Sequence, residues 1–147
     1  MKKPITVIVL VLSALLVGCA TVPMAPAEDD SRAKSFNVDA GKSNIYVYRN
    51  ETMGGAIAMP VTLNGKFAGK SAPNTYFMWM VEPGAHEITS LTENTSTITV
   101  DAIAGKNHFI WQEVKMGTWS AGSLLQEVSE QEGRAGVNEC KLVASDI

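Results

Sequence analysis

The sequence predicts a mainly β domain, an antiparallel sandwich or small barrel of about seven strands with a short C-terminal helix. Three observations carry this prediction. Short runs rich in β-branched and aromatic residues recur between residues 45 and 128, and turn-forming residues separate them. Several runs alternate apolar and polar residues, which is typical of strands with one buried face. After the last run, a helix-capping sequence replaces this alternation.

The first two predicted strands lie at residues 45–48 and 57–63. The first is the run Ile-Tyr-Val-Tyr, which strongly favours a strand. The second alternates with period two but contains Pro60. Because proline has no amide hydrogen to donate to a ladder, we expect this strand at a sheet edge or with a bulge.

A tight turn is predicted at Asn64 and Gly65, which both tolerate positive φ. The chain then returns through a strand at residues 66–68. Either a two-residue loop or a bulged loop fits this hairpin. The bulge is favoured, because it would place Phe67 on the same face as Val61.

The run at residues 76–81 is apolar on both faces, which predicts a central strand that is covered on both sides. One of its faces carries Tyr76, Met78 and Met80. Further strands are predicted at residues 85–91, 97–102, 108–116 and 124–128.

A short helix is predicted after residue 128. Ser129 and Glu132 have the spacing of a capping box, and apolar residues follow at helical spacing. Gly133 and Gly136 each cost about 1 kcal/mol relative to alanine in a helix interior, so this helix needs packing to persist. We expect it to cover the apolar face of the central strand.

The N-terminus resembles a bacterial lipoprotein signal. Two lysines precede an uncharged apolar run, residues 5–17, which is shorter than the ~20 residues of a membrane-spanning helix. The run ends in Leu-Val-Gly-Cys at residues 16–19, which resembles a lipobox. The resemblance implies cleavage between Gly18 and Cys19 and covalent lipid on Cys19. An ordinary signal peptide that is cut nearby and a retained membrane helix are the alternatives.

This interpretation divides the chain into a signal peptide (1–18), a lipidated cysteine with a flexible tether (19–41) and a β domain (42–147). Several acyl chains on Cys19 would anchor the protein firmly in a lipid bilayer, since each buried methylene contributes ~0.8 kcal/mol. In enterobacterial-type sorting, an aspartate after the cysteine retains lipoproteins at the inner membrane. Ala20 stands there instead, which favours the outer membrane, with the domain facing the periplasm.

Composition excludes some functions. The net charge is −3, and loss of the two N-terminal lysines makes the chain more acidic, which argues against nucleic acid as a partner. Once Cys19 carries lipid, Cys140 has no partner for an internal disulfide. A buried thiol is favoured for Cys140 over an intermolecular disulfide or a nucleophile. No cofactor is expected beyond the covalent lipid.

Two motifs resemble PEGA-type modules. They are Val-Thr-Leu-Asn-Gly-Lys at residues 61–66 and Val-Glu-Pro-Gly-Ala-His-Glu-Ile at residues 81–88. Together with residues 45–49 and 104–109, they make the chain similar to bacterial lipoproteins that are defined only by a domain of unknown function. The resemblance implies an all-β fold in the cell envelope, and it implies no catalytic residues.

Two groups of residues are candidate sites. Met78, Met80 and His86 are weak candidates for cuprous copper, which thioether and imidazole ligands suit, although core packing explains the methionines more simply. Trp119, in a glycine-rich loop, and Tyr76 are candidates for contact with a ligand such as a sugar ring. Trp119 folding back to cap the sandwich is the alternative.

The sequence shows no carboxylate pair at a useful spacing, phosphate loop, zinc cluster or serine elbow. We therefore expect a non-enzymatic envelope lipoprotein that binds a protein or a glycan. A periplasmic copper-binding or chaperone-like carrier is the alternative. An enzyme that pairs Cys140 with a histidine is the least favoured interpretation.

Overall fold

Two β-sheets pack face to face in the computed structural model, which describes residues 21–147, and two short helices accompany them. The predicted mainly β fold, the sandwich-like arrangement and the C-terminal helix are confirmed. In chain order the elements are α1 (Ala27–Ala33), β1 (Ser43–Arg49), β2 (Met59–Leu63), β3 (Lys66–Ser71), β4 (Thr75–Val81), β5 (Gly84–Leu91), β6 (Thr95–Ala102), β7 (Asn107–Met116), β8 (Ala121–Val128), α2 (Glu130–Asn138) and β9 (Lys141–Leu142).

The pairing of the strands is less uniform than the expected antiparallel one. The first sheet has the order β8-β7-β1-β4-β9, and the second has the order β3-β2-β5-β6. Most neighbouring strands are antiparallel, but two pairs are parallel, namely β1 with β7 and β4 with β9. A parallel pair needs a long connection. Between β1 and β7 the chain passes through the second sheet and through β4, so local sequence patterns could not show this pair.

The main hydrophobic core lies between the two sheets. Alternate side chains of the strands point into this space, as the period-two pattern predicts. Fully burying one apolar side chain contributes about 1.5–3 kcal/mol, so this layer is the main source of stability. Its buried members include Ile45, Val47, Val61, Phe77, Trp79, Ile88, Val100 and Ile110.

The outer face of the first sheet carries a second, aromatic core. Tyr46, Tyr48, Tyr76 and Phe109 are buried there. Helix α2 packs on β1 and β7, so it covers part of this face, rather than the central strand β4 on which it was expected. The segment that contains α1 covers the rest of it, since Ala33 belongs to the same cluster. Strand β4 is therefore covered on both sides at Tyr76, as predicted, but Met80 near its end is 54% exposed, so the prediction fails there.

The segment expected to be a flexible tether is part of the fold from Val22 onward. Val22 packs against the main core, and Met24 pairs with Val143 in an antiparallel bridge. The amide of Ala25 donates to the carbonyl of Leu142 at 3.0 Å. The predicted boundary at residue 42 is corrected accordingly. Local composition suggested a linker because the partners of this segment lie at the other end of the chain.

Asp30 ties this segment to the first sheet. Its carboxylate accepts hydrogen bonds from the Tyr76 hydroxyl at 2.8 Å, the Leu142 amide at 2.9 Å and the Lys34 ammonium at 3.0 Å. Burial acts to raise the pKa of Asp30, but these hydrogen bonds outweigh it and hold the pKa below its ordinary value. The carboxylate therefore stabilises the fold in its ionised form.

The Asp30 contacts predict a pH-dependent contribution to stability. A lowered pKa means that this contribution is complete above the pKa of the unfolded chain, about 3.9, and is lost as the pH falls through the lower pKa of the folded state. Asp30→Asn should therefore lower the urea midpoint at pH 7. The midpoint of this variant should also decrease less than that of the wild type between neutral and acidic pH. Asp29→Asn is the control, because Asp29 pairs with Arg32 at the surface and should leave both quantities nearly unchanged.

The hairpin between β2 and β3 combines a two-residue turn with a bulge. Asn64 and Gly65 have φ values of 52° and 77°, and the strand register shifts between Val61 and Thr62. Phe67 pairs with Thr62 and is 46% exposed, so the expectation that it shares the face of Val61 is wrong. The buried residue at the bulge is Ala68.

Of the two expectations for the proline-containing strand, the edge position is wrong, whereas a bulge does occur next to Pro60, where the register shifts between Val61 and Thr62. Strand β2 lies inside the second sheet, between β3 and β5. Its pairing with β5 begins at Val61, one residue after Pro60. The proline therefore precedes that ladder and withholds no hydrogen bond from it.

Candidate functional site

Four loops meet at one end of the sandwich, which we call the loop end. They follow β1, β3, β5 and β7, and they are residues 50–58, 72–74, 92–94 and 117–120. The strand registers bring them together, because the last residue of β1 pairs with the first of β4, and β7 runs parallel to β1. Loops at one end of a rigid sandwich are a usual place for a binding site.

Trp119 projects from the loop between β7 and β8. Its side chain is 92% exposed, so the alternative that it folds back to cap the sandwich is wrong. Two further exposed apolar residues lie at the same end, Met116 at 81% and Met53 at 51%. Large exposed apolar groups of this kind favour an interaction surface. Contact between Trp119 and a ligand stays a prediction.

A single carboxylate fixes the conformation of this loop. Glu93 accepts hydrogen bonds from the amides of Ser120 at 2.6 Å, Thr118 at 2.9 Å and Trp119 at 3.1 Å. These hydrogen bonds lower the pKa of Glu93 below its ordinary value, and the bond from Ser120 has the largest effect. Trp119 is therefore presented on an ordered loop, which reduces the entropy that binding would cost.

Open cavities flank the Trp119 loop. One has a volume of about 490 Å³ and lies between residues 54–57 and residues 116–121. The other has a volume of about 420 Å³, and its lining includes Glu93, Asn94 and Lys115. The first is lined mainly by backbone and small or apolar side chains, so it offers shape and apolar surface and few polar partners.

A buried arginine stabilises the loops of this end from inside the sandwich. Arg49 is fully buried, and its guanidinium donates to the carbonyls of Ile57 at 2.8 Å, Gly54 at 2.9 Å and Ser71 at 3.3 Å. Among the described residues, no carboxylate forms an ion pair with it. Burial lowers the pKa of Arg49, and Glu51 partly opposes this. The guanidinium fastens the loop after β1 to the end of β3.

A chain of buried polar side chains joins the two sheets below the loop end. Ser71 donates to Gln112 at 2.6 Å, Gln112 donates to Ser90 at 2.7 Å, and the hydroxyls of Ser90 and Ser123 lie 2.7 Å apart. Such a satisfied network makes this end rigid. This network was not predicted from the sequence, although a glutamine on the inward face of an apolar strand is a signal that could have revealed it.

Tyr76 does not belong to this site. It is fully buried on the outer face of the first sheet, and its hydroxyl donates to Asp30. The expectation that Tyr76 contacts a ligand is corrected on this ground. Its aromatic character reflects packing beneath α1 rather than recognition.

The weak copper candidates are not brought together. Met78 and Met80 lie on β4 in the first sheet, whereas His86 lies on β5 in the second. Both ring nitrogens of His86 have partners, the Asn64 amide group at 2.8 Å and the Glu82 carbonyl at 2.7 Å. The proposed copper set is therefore wrong. No cluster of three or more His, Cys, Asp or Glu side chains suited to a metal occurs within residues 21–147.

Cys140 is buried, as the favoured interpretation predicts. Its thiol is directed at the carbonyl of Arg49 at 3.6 Å, and burial raises its pKa to about 12. His86 is bound as described above, and His108 contacts Glu127 and the amide of Ile103. The nucleophile–base pair that an enzyme would need is therefore not assembled from Cys140 and these histidines.

Gly18 and Cys19 lie outside the described residues, so the predicted cleavage and lipidation stay predictions. Within residues 21–147, neither helix has the length and apolar character that crossing a membrane requires.

The family of proteins of unknown function DUF2846 matches residues 39–123. The chain belongs to the DUF2846 family. A relative from Haemophilus influenzae, described as an uncharacterized protein, is 35% identical over 136 residues, which cover 91% of this chain and 81% of the relative. No solved structure matches the chain. The DUF2846 match confirms the expected domain of unknown function, and it includes the Trp119 loop.

Proposed function

We propose that this DUF2846 protein is a non-enzymatic binding protein of the bacterial envelope. Lipid on Cys19 holds it at the outer membrane, and the Trp119 loop is its contact surface. One observation carries the proposal: Trp119 is 92% exposed while Glu93 fixes the amides around it. An exposed aromatic side chain on a loop whose backbone is held by hydrogen bonds is typical of recognition, since it offers a large contact area and the loop loses little further entropy on binding.

The charged groups of the loop end support binding rather than catalysis. Glu93 is occupied by three backbone amides, and Arg49 is occupied by backbone carbonyls. In this proposal both groups maintain the shape of the surface. The motifs that resemble PEGA-type modules, around Asn64 and Pro83, lie at the opposite end of the sandwich and have a structural role.

The anchor is tested by metabolic labelling with an alkyne analogue of palmitate. Wild-type protein should carry the label, fractionate with the outer membrane on a density gradient and begin at Cys19 when its mass is measured. Cys19→Ser protein should not carry the label, and its mass should not be that of a lipidated chain that begins at residue 19. Cys140→Ser is the matched control and should keep both, because Cys140 is buried and lies far along the chain. Labelled, membrane-bound Cys19→Ser protein would contradict the anchor.

The contact surface is tested by photo-crosslinking in intact cells. A photoreactive residue at position 119 should give more adducts than one at position 103. Ile103 is the matched control, since it is 54% exposed in a loop at the opposite end of the sandwich. Glu93→Gln should weaken the hold on the amides of residues 118–120 and reduce the adducts at 119. Equal yields at 119 and 103 would count against the Trp119 loop.

A further inference from the structure

We infer that the Trp119 loop docks on the same bilayer that holds the lipid anchor. The contact surface of the proposed function is then a membrane surface rather than a protein or a glycan. This inference rests on the proposed lipid at Cys19, and it depends on where the chain enters the fold.

Thr21, the first described residue, lies beside the loop end. Thr21 lines a cavity of about 370 Å³ together with Ala72, Pro73 and Asn74, which form one of the four loops of that end. Cys19 precedes Thr21 by two positions. Two residues span at most about 7 Å, so a lipid on Cys19 would be attached within that distance of Thr21. The long tether expected from the sequence would have left the orientation of the domain undetermined, whereas this short connection restricts it.

The loop end is continuous from Thr21 to Trp119. A Cβ atom at Gly55 would lie 3.6 Å from Pro73, and one at Gly54 would lie 3.0 Å from the Cβ atom of Ala121. Thr21 lies near β4 and β9, at one edge of the first sheet. Trp119 lies in the loop that joins β7 and β8, at the other edge. With strands ~4.8 Å apart, roughly 15–20 Å separates the two points. A bilayer that holds Cys19 is therefore within reach of the whole loop end.

The exposed groups of this end suit a bilayer interface. Tryptophan is enriched at membrane interfaces because its ring is apolar and its indole N–H is polar. Trp119, Met116 and Met53 supply apolar surface that insertion would remove from water. Glu93 already has three amide partners. The protein is acidic overall, so docking relies on apolar contact rather than on attraction to anionic headgroups.

The test uses the full lipidated protein in vesicles of phosphatidylethanolamine and phosphatidylglycerol. Phosphatidylcholine that carries bromine on its acyl chains is added to half of the samples to quench inserted tryptophan. Wild-type fluorescence should be quenched and shifted to shorter wavelength relative to detergent-solubilised protein. Both effects should persist at high salt, since apolar contact is not screened. Loss of quenching at high salt would overturn the inference.

The matched control combines Trp119→Phe with Met80→Trp. It keeps the number of tryptophans and places one at an exposed position, 54% exposed in the wild type, near the opposite end of β4. Its quenching should be lost, although the anchor holds it to the same vesicles. Equal quenching of the wild type and this variant would overturn the inference.

Failure of the docking can be told apart from failure of the proposed function. If the palmitate label is absent from Cys19, the anchor fails. If the anchored protein shows no quenching of Trp119, only the docking fails. The crosslinker at position 119 gives an independent readout. Lipid adducts support docking, whereas a discrete protein or glycan adduct overturns it and leaves a binding function at the same loop.

Discussion

Gly136→Ala will destabilise the folded domain by about 3 kcal/mol, at the upper end of the usual cost of overpacking. Alanine is otherwise favoured over glycine in a helix by about 1 kcal/mol, so the sign is opposite to helix propensity. The reason is steric. A Cβ atom at Gly136 would lie 2.2 Å from Cε2 of Tyr48, whose ring is buried beneath α2. The helix must move away from the sheet, or the ring must leave its position.

Gly133→Ala should have a similar effect one turn earlier in α2. Its Cβ atom would lie 2.1 Å from Cγ of Phe109 and 2.2 Å from Cβ of Phe109. These atoms are close to the backbone of β7 and cannot rotate away. The Phe109 ring is also stacked on Tyr46, with centroids 4.9 Å apart. Overpacking at this site therefore has to be relieved by moving α2.

Urea and thermal unfolding, followed by circular dichroism, measure both changes. Gly41→Ala is the matched control, because no atom lies within 4 Å of its added Cβ and its φ is not in the left-handed region. It should change stability by less than about 0.5 kcal/mol. If the two α2 variants unfold at the same or a higher temperature than the wild type, the close packing of α2 on β1 and β7 is wrong.

These glycines show what the sequence could and could not predict about α2. The helix itself was predictable from local signals, and Ser129 does accept a hydrogen bond from the Glu132 amide at 3.2 Å. In the sequence, the glycines are only a loss of helix propensity. The glycines allow α2 to lie close to the sheet, and this role depends on Tyr48 and Phe109, which belong to other elements, β1 and β7. Local pattern therefore predicts the element, and tertiary contact explains its composition.

The same distinction applies to the candidate site. Glycines around Trp119 predicted a loop and made an exposed tryptophan a reasonable hypothesis. The carboxylate that orders this loop, Glu93, lies in another turn, and no local signal connects the two. The N-terminal segment was misassigned for a similar reason, since its order depends on Leu142 and Val143. Most missed features are contacts between distant parts of the chain, although the face of Phe67 was wrongly predicted within a single hairpin. The strands, in contrast, were predictable from their own composition and, for several of them, their periodicity.

Arg49→Met is expected to destabilise the domain by about 3 kcal/mol. The substitution leaves the carbonyls of Gly54, Ile57 and Ser71 without the guanidinium donors they have in the wild type. Hydrogen bonds to a charged group contribute about 1.5–3 kcal/mol each, and relief of the buried charge offsets part of their loss. Methionine retains much of the apolar volume, so the effect reports the lost bonds rather than a cavity.

Arg49→Lys should be intermediate, because an ammonium retains the charge but cannot present the planar fork that reaches several carbonyls at once. Urea midpoints measure the order of the three proteins, and amide hydrogen exchange in residues 54–57 should accelerate most in Arg49→Met. Arg32→Met is the control. The Arg32 side chain is 70% exposed and forms only surface ion pairs, which are worth about 0–1 kcal/mol.

Equal midpoints for Arg49→Met and Arg32→Met would mean that the carbonyls find other donors and that the loop after β1 does not depend on Arg49. A lower midpoint together with faster exchange at residues 54–57 would show that one buried cation orders a wall of the cavity beside Trp119. The stability of the sandwich and the shape of its contact surface would then depend on the same side chain. In that case, the quenching of Trp119 by brominated lipid should also fall in folded Arg49→Lys protein.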